Sequence, residues 1–342
     1  LSVNDMQTLL RAITYEHIAG TFSTNNRVIG FIATDINSIS STQVNTTLVA
    51  IDEYEWTGTT STDWNTSSNW NNNITPPSSA NILIPNTINQ PILDQNRTVK
   101  DLTINNSGFD LNTFNLNIEG DVTINGGTIS GGEAIFIGSI RQNVSVTGIL
   151  TIENMTINNS NGIELLSGGI NLSNTLTLIN GDFLTNNGLT LISNASGTAR
   201  IGTILGGSIV GNITMQRYVG SESANWKYLT SAVSGTTIAD FNDDFFTTGF
   251  TGANDPPAVN SWASIYTYDE TQVGLIDSGF NAATNVTNTI AVGQGFWAYI
   301  DEGAAYTIDV VGPPNVGNIN LPVSYTNTGM PSADGWTMVG NP

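Results

Sequence analysis

Proton-transfer chemistry in this chain would fall to carboxylates, because the sequence holds one histidine, His17, and no cysteine. Without cysteine there is no thiolate nucleophile, thiolate metal site or disulfide. A Ser-His-Asp triad or a zinc site would have to use His17 alone, so His17 reads as a solvated or half-buried structural residue. The closest carboxylate pair within 99–215 is Glu119 and Asp121. Two residues apart, they share one face if the strand is regular, but they flank Gly120 and read equally well as a turn. Glycoside hydrolysis needs two carboxylates about 5–10 Å apart. Lyase chemistry needs a cation beside the substrate carboxylate, and Lys100, Arg141 and Arg200 are widely spaced along this stretch. The expectation is a chain with no catalytic residue, no cofactor and no enzymatic activity.

Calcium is the better-supported chemistry. The run ADFNDDFF offers Asp240, Asn242, Asp243 and Asp244 in a short loop, with Asp255 eleven residues further on. Hard cations prefer such oxygen ligands, although the spacing is not that of an EF-hand loop. Asp240, Asp243 and Asp244 are therefore candidate ligands of a structural Ca²⁺, against the plainer reading of a solvated acidic cluster. Gly293-Gln294-Gly295 superficially matches a phosphate loop, but it opens a strand and has no nearby lysine, so it reads as a tight turn.

Three of the seven tryptophans, Trp56, Trp64 and Trp70, fall within fifteen residues among Thr, Ser and Asn. Such a cluster is either a sugar-stacking platform or a plug over the open end of something hydrophobic. The neighbouring sequence favours the plug, for reasons set by the elements around it.

The 342 residues carry 8 basic and 28 acidic side chains, a net charge of −20, and only 11% of them are charged. That charge repels phosphate backbones and anionic lipid, which makes nucleic acid and membrane surfaces poor partners. No apolar run approaches the roughly 20 residues that span a bilayer. The chain does not begin with Met and shows no signal peptide, so it reads as a mature segment or fragment of a larger protein. Asn, Thr, Ser, Gly and Ile dominate and helix formers are scarce, which predicts an all-β, exported bacterial protein.

Residues 1–54 contain the only credible helix, Asn4 to Ile13, then two alternating strands, Arg27 to Asp35 and Ser41 to Ile51. A helix and two strands cannot close a sandwich, so 1–54 reads as the end of a β domain. Within 99–215, LTINNSGFDLN from Leu102 recurs as MTINNSNGIELL from Met155, and LNIEGDVTI from Leu116 aligns with INLSNTLTL from Ile170. The offsets of 53 and 54 residues amount to about two and a half short coils. Apolar-polar-apolar triplets such as Leu102-Thr103-Ile104, Val122-Thr123-Ile124 and Leu189-Thr190-Leu191 recur between Asn-Asn, Gly-Gly and Asn-Gly turns. Strands this short bury one face each and gain stability by stacking coil on coil. A right-handed parallel β-helix fits best, and a sandwich of short hairpins is the alternative.

A solenoid end exposes its apolar interior and an unpaired edge. Residues 55–98 lie directly before the first coil and carry Pro76, Pro77, Pro85 and Pro91, which suit edges and coil entry. They are read as a Trp-rich N-terminal cap with Ala80 to Pro85 as the first strand. From about Met215 the strands carry more aromatics: Arg217 to Gly235, Ser261 to Glu270 and Val292 to Asp301. Residues 216–342 are read as a C-terminal β-sandwich.

Resemblances point the same way. LLRAITYEH with NRVIGFIATDINSISSTQVNTTLVAI resembles the second half of cadherin-like repeats of large bacterial surface proteins, except that no Gly follows Asp35-Ile36-Asn37. Trp56-Thr57-Gly58, Asp63-Trp64-Asn65, Asn69-Trp70 and Ala80-Asn81-Ile82-Leu83-Ile84-Pro85 are similar to a module of secreted Bacteroidota-type proteins that leads into β-helical coils. The blocks R-Y, W-K-Y-L-T-S-A-V-S, G-Q-G-F-W-A-Y and terminal G-W-T-M-V-G-N-P look like those of a domain in type IX secretion cargo. There the last block continues further, which implies that Pro342 truncates it. The resemblances imply an extracellular or cell-surface location, partners among glycans, other surface proteins and the secretion and anchoring machinery, and no membrane insertion. The expected role is a non-catalytic adhesive or structural segment with the solenoid as stalk or binding surface. The competing expectation is a carbohydrate-binding or polysaccharide-degrading β-helix.

Overall fold

The computed structural model describes residues 27–32, 40, 44–48, 53–301, 303–329 and 334–342. The helix expected at Asn4 to Ile13 and the histidine His17 lie outside them. The chain divides into two compact bodies, Leu1–Glu53 and Tyr54–Pro342. In the first, strands Arg27–Phe31 and Val44–Leu48 pair antiparallel, with Arg27 opposite Leu48 and Phe31 opposite Val44.

The second body is built on a β-solenoid of about six turns. Each triplet turns its two apolar residues inward and its polar residue outward, as the period-2 geometry of a strand requires. Parallel pairing then stacks like on like along three sides. On the first side Ile84 lies beside Ile104, Ile104 beside Ile124, and Ile124 beside Val146. The second runs Phe109, Ile129, Ile152, Leu172, Leu191, Met215. The third runs Ile118, Phe136, Ile157, Leu178, Ile204. Most of these side chains are buried in one continuous core. Burying a Leu, Ile or Phe side chain is worth roughly 1.5–3 kcal/mol, and here each gains it only from the coils above and below. Pairing is parallel along all three sides, which removes the hairpin alternative for this stretch.

The 53-residue repeat has a different basis from whole coils. It carries Leu102 on the first side to Met155 on the third, and Leu116 on the third side to Ile170 on the second. That is a shift of eight sides, or two and two-thirds turns. All three sides use the same triplet, so self-similarity in sequence cannot tell one side from another.

The outward rungs are polar and in register: Thr128 lies beside Thr151, then Asn171, Thr190 and Thr214. Side chains also tie one coil to the next. Asp101 Oδ1 accepts the Asp121 amide at 2.8 Å, Asp121 Oδ1 accepts the Asn143 amide at 2.8 Å, and Asp182 Oδ1 accepts the Ser208 amide at 2.8 Å.

The last solenoid strand, Ile213–Val219, changes the geometry. Its start adds to Leu189–Leu191 in parallel, while its other edge pairs antiparallel with Tyr306–Gly312 over its whole length. The solenoid edge is thus occupied by a strand from late in the chain, which removes an open template for edge pairing. Beyond it stands a four-stranded antiparallel sheet in the order Asn225–Leu229, Phe296–Ile300, Ile265–Tyr268, Phe280–Ala282. Its inner face buries Ile265, Phe296, Ala298 and Ile300. Against it packs Phe241, whose ring meets that of Phe296 edge-on at 4.8 Å. Phe241 sits in a single helical turn, Ala239–Asn242, where the sequence suggested a loop. Gly293-Gln294-Gly295 is a turn, closed by the Gln294 amide on the Ala291 carbonyl at 2.9 Å.

Candidate functional site

The three tryptophans come together in the interior. Trp56 is 0% exposed, and Trp64 and Trp70 are each 1% exposed. Trp70 meets Trp64 edge-on at 4.6 Å and Trp56 at 5.1 Å. Trp64 stacks on Phe109 of the first coil. Trp56 Nε1 donates to the Asn89 carbonyl at 2.7 Å and Trp70 Nε1 to the Trp64 carbonyl at 2.9 Å, while Trp64 Nε1 has no partner. The buried amide of Asn69 organises the loop around them. Its Oδ1 accepts the Thr60 and Ser61 amides, and its Nδ2 donates to the Asp63 carbonyl at 2.9 Å. In this arrangement no indole presents a face to solvent.

The acidic run does not gather around one point. Asp240 turns back to Thr237, accepting from its amide at 2.8 Å and its hydroxyl at 2.9 Å. Asp243 is exposed. Asp244 faces strand Tyr306–Gly312, where its Oδ2 accepts the Asp309 amide at 2.9 Å. Burial, and then the charges of Asp309 and Asp243, push the Asp244 carboxyl up to about 7. Among the described residues no group of three or more His, Cys, Asp or Glu side chains could hold a metal ion.

Glu119 and Asp121 lie in the corner between strands Asn115–Ile118 and Val122–Ser130. They line a cleft of about 410 Å³ together with Lys100, Asp101, Ile140 and Gln142. The cleft has the composition of a small polar site, but its two aspartates are engaged in structure. Asp101 and Asp121 each hold a backbone amide of the next coil. Gln142, fully buried, donates to the Ile118 and Gly120 carbonyls at 3.0 and 2.6 Å.

The outer face of the four-stranded sheet is a feature that the sequence reading passed over. Register puts Trp226 opposite Tyr299, Tyr228 and Tyr266 opposite Trp297, and Tyr268 opposite Phe280. Opposed residues share a face, so seven of the eight outward positions on these strands are aromatic, with Ala282 the eighth. The rings touch in series: Tyr268 to Phe280 at 5.2 Å, Phe280 to Trp297 at 4.9 Å, Trp297 to Trp226 at 4.2 Å. Trp262 extends the series beyond Trp226 at 5.6 Å, and Trp336 extends it beyond Tyr268 at 4.1 Å. None of these rings belongs to the buried core. The signal was present in Trp226-Lys227-Tyr228, Tyr266-Thr267-Tyr268 and Trp297-Ala298-Tyr299, each placing two aromatics on one side of a strand.

The chain matches no family model, no curated protein and no solved structure.

Proposed function

We propose that this chain is a non-catalytic, structural and adhesive segment of a large secreted or surface-attached bacterial protein, with the solenoid serving as its stalk. The observation that carries the reading is the use made of the solenoid acids. Asp121, one member of the closest carboxylate pair, and its cleft neighbour Asp101 accept backbone amides of the next coil and so serve the stack, which leaves Glu119 without a free carboxylate partner. A general acid or base must instead be free to reach a substrate proton. The composition supports export: no cysteine, sparse lysine, and an outer surface of Thr, Asn and Ser. In this reading the Trp-rich stretch caps the N-terminal end of the solenoid, and the winding is right-handed, the hand that parallel connections adopt. The first body is the end of a cadherin-like domain, and the four-stranded sheet belongs to a C-terminal β-sandwich. Glycans and other surface proteins are the partners, and the cell exterior is the location.

Displaying the whole chain on an otherwise non-adherent bacterial cell tests the adhesive role. Retention under shear on surfaces coated with polysaccharide or with cells should rise relative to cells without the chain. Equal detachment from every surface would sink the proposal.

The second reading, a polysaccharide-degrading β-helix, is favoured by one observation, the cleft holding Glu119, Asp121, Asp101 and Lys100. It ranks below the first because the two aspartates are already engaged.

A further inference from the structure

We propose that the outer face of the four-stranded sheet is a binding platform for an uncharged polysaccharide chain, an inference that rests on the adhesive reading and names its ligand class.

A sheet needs one buried face to be stable, and this one has it in Ile265, Phe296, Ala298 and Ile300. The outer face is therefore not required for a core. Yet it carries a continuous series of rings, two of them well exposed: Tyr228 at 63% and Trp262 at 44%. Contiguous apolar surface of this kind marks an interaction site more often than chance exposure.

The chemistry of the face selects its occupant. Every outward position on the four strands is uncharged, in a chain of net charge −20. Anionic polymers are repelled by that overall charge, and a cationic partner would find no carboxylate among these positions. Protein interfaces mix aromatics with Met and Arg, whereas no aliphatic larger than Ala282 shares these outward positions. Tyr and Trp combine a flat apolar ring with a polar tip. A pyranose presents the complementary surface, an apolar face of C–H groups rimmed by hydroxyls. A row of touching rings offers repeated stacking positions, which suits a chain of sugars better than a single one.

Affinity electrophoresis of the full chain through gels containing neutral polysaccharides (a soluble cellulose derivative, xyloglucan, mannan, starch) tests the assignment, with alginate as the anionic control. At least one neutral polymer should retard the protein and alginate should not. Trp262→Ala and Tyr228→Ala should each weaken that retardation roughly tenfold, the order that losing one stacking ring costs a flat polar ligand. Both side chains are exposed, so melting temperatures should hold. If either variant folds poorly, the intrinsic fluorescence of the unaltered protein decides the point. Trp226, Trp262 and Trp297 should respond to the retarding polymer, whereas Trp56, Trp64 and Trp70 are sealed from it. The proposal fails if no neutral polymer retards the chain, if only alginate does, or if Trp262→Ala and Tyr228→Ala both bind as the parent does. A protein partner that needs these rings, with no polysaccharide retardation, overturns the glycan assignment but leaves the adhesive role standing. Absence of shear retention on every surface removes the adhesive role itself.

Discussion

The indole of Trp64 lies parallel to the ring of Phe109, with centroids 5.3 Å apart and planes inclined by 13°. This stack joins the stretch before the solenoid to the first coil. Trp64→Ala should destabilise the Tyr54–Pro342 body by about 3–5 kcal/mol, as for other large-to-small changes in a core. The unpartnered indole N–H of Trp64 makes a second comparison informative. Trp64→Phe keeps a ring and removes an unsatisfied donor, so it should cost clearly less than the alanine change. Denaturant melts of both variants check this, and equal losses would contradict the stacked placement.

Asp244 gives the fold a pH dependence of definite sign. Its folded-state value is about 7 against an ordinary 3.8, because burial, then Asp309 and Asp243, disfavour its charged form. The folded state therefore holds this proton more tightly than the unfolded one. The group's contribution is fully present below about pH 4, declines as pH rises, and is lost once pH passes about 7. Asp244→Asn keeps an acceptor for the Asp309 amide and cannot ionise. It should flatten the stability profile between pH 4 and 7 and leave the variant more stable than the parent above pH 7. A parent profile that rises across that window would refute the assignment.

How far the sequence disclosed these features depended on whether a feature was local. The solenoid triplets were legible because each is a three-residue pattern whose inward and outward positions follow from strand geometry alone. Leu102, Thr103 and Ile104 could be assigned without knowing their neighbours. The length of the repeat reads as about two and a half coils, close to the two and two-thirds turns observed, but which side maps to which could not be read, since equivalent triplets occupy all three sides. The partners of the acidic run were also invisible. Asp244 meets Asp309, sixty-five positions away, through a strand pairing that local pattern does not encode. The aromatic face was local and legible in Trp226, Tyr228, Trp297 and Tyr299. It was passed over because aromatic strands also fit a sandwich interior, and which face turns inward is decided by packing against Phe241 and its neighbours.

The separate directions taken by Asp240 and Asp244 bear on calcium. With Asp240 turned to Thr237 and Asp244 to Asp309, Asp243→Asn should melt as the parent does, both with and without chelator. Elemental analysis should find the same calcium content in parent and variant. A chelator-induced drop in the melting temperature, restored by calcium and abolished by Asp243→Asn, would show that these carboxylates do converge on an ion.

Coil stacking leaves little room at Gly181, which has φ of 90° and would place a Cβ 1.8 Å from the Asn159 carbonyl oxygen of the preceding coil. Gly181→Ala combines an unfavourable left-handed backbone with that clash. It should lower stability by about 1–3 kcal/mol, whereas Gly197→Ala, in open space on the small hairpin, should change it little. Thermal melts of the pair check the contrast, and similar melts would argue against the coil register described for this corner.

Product analysis on polysaccharides tests the non-catalytic account most directly. Incubation of the full chain with plant, algal and bacterial polysaccharides should release neither reducing ends nor unsaturated uronides, whether or not the polymer binds. Release of either product, lost in Glu119→Gln or Asp121→Asn, would contradict the account and place an active site in the solenoid cleft.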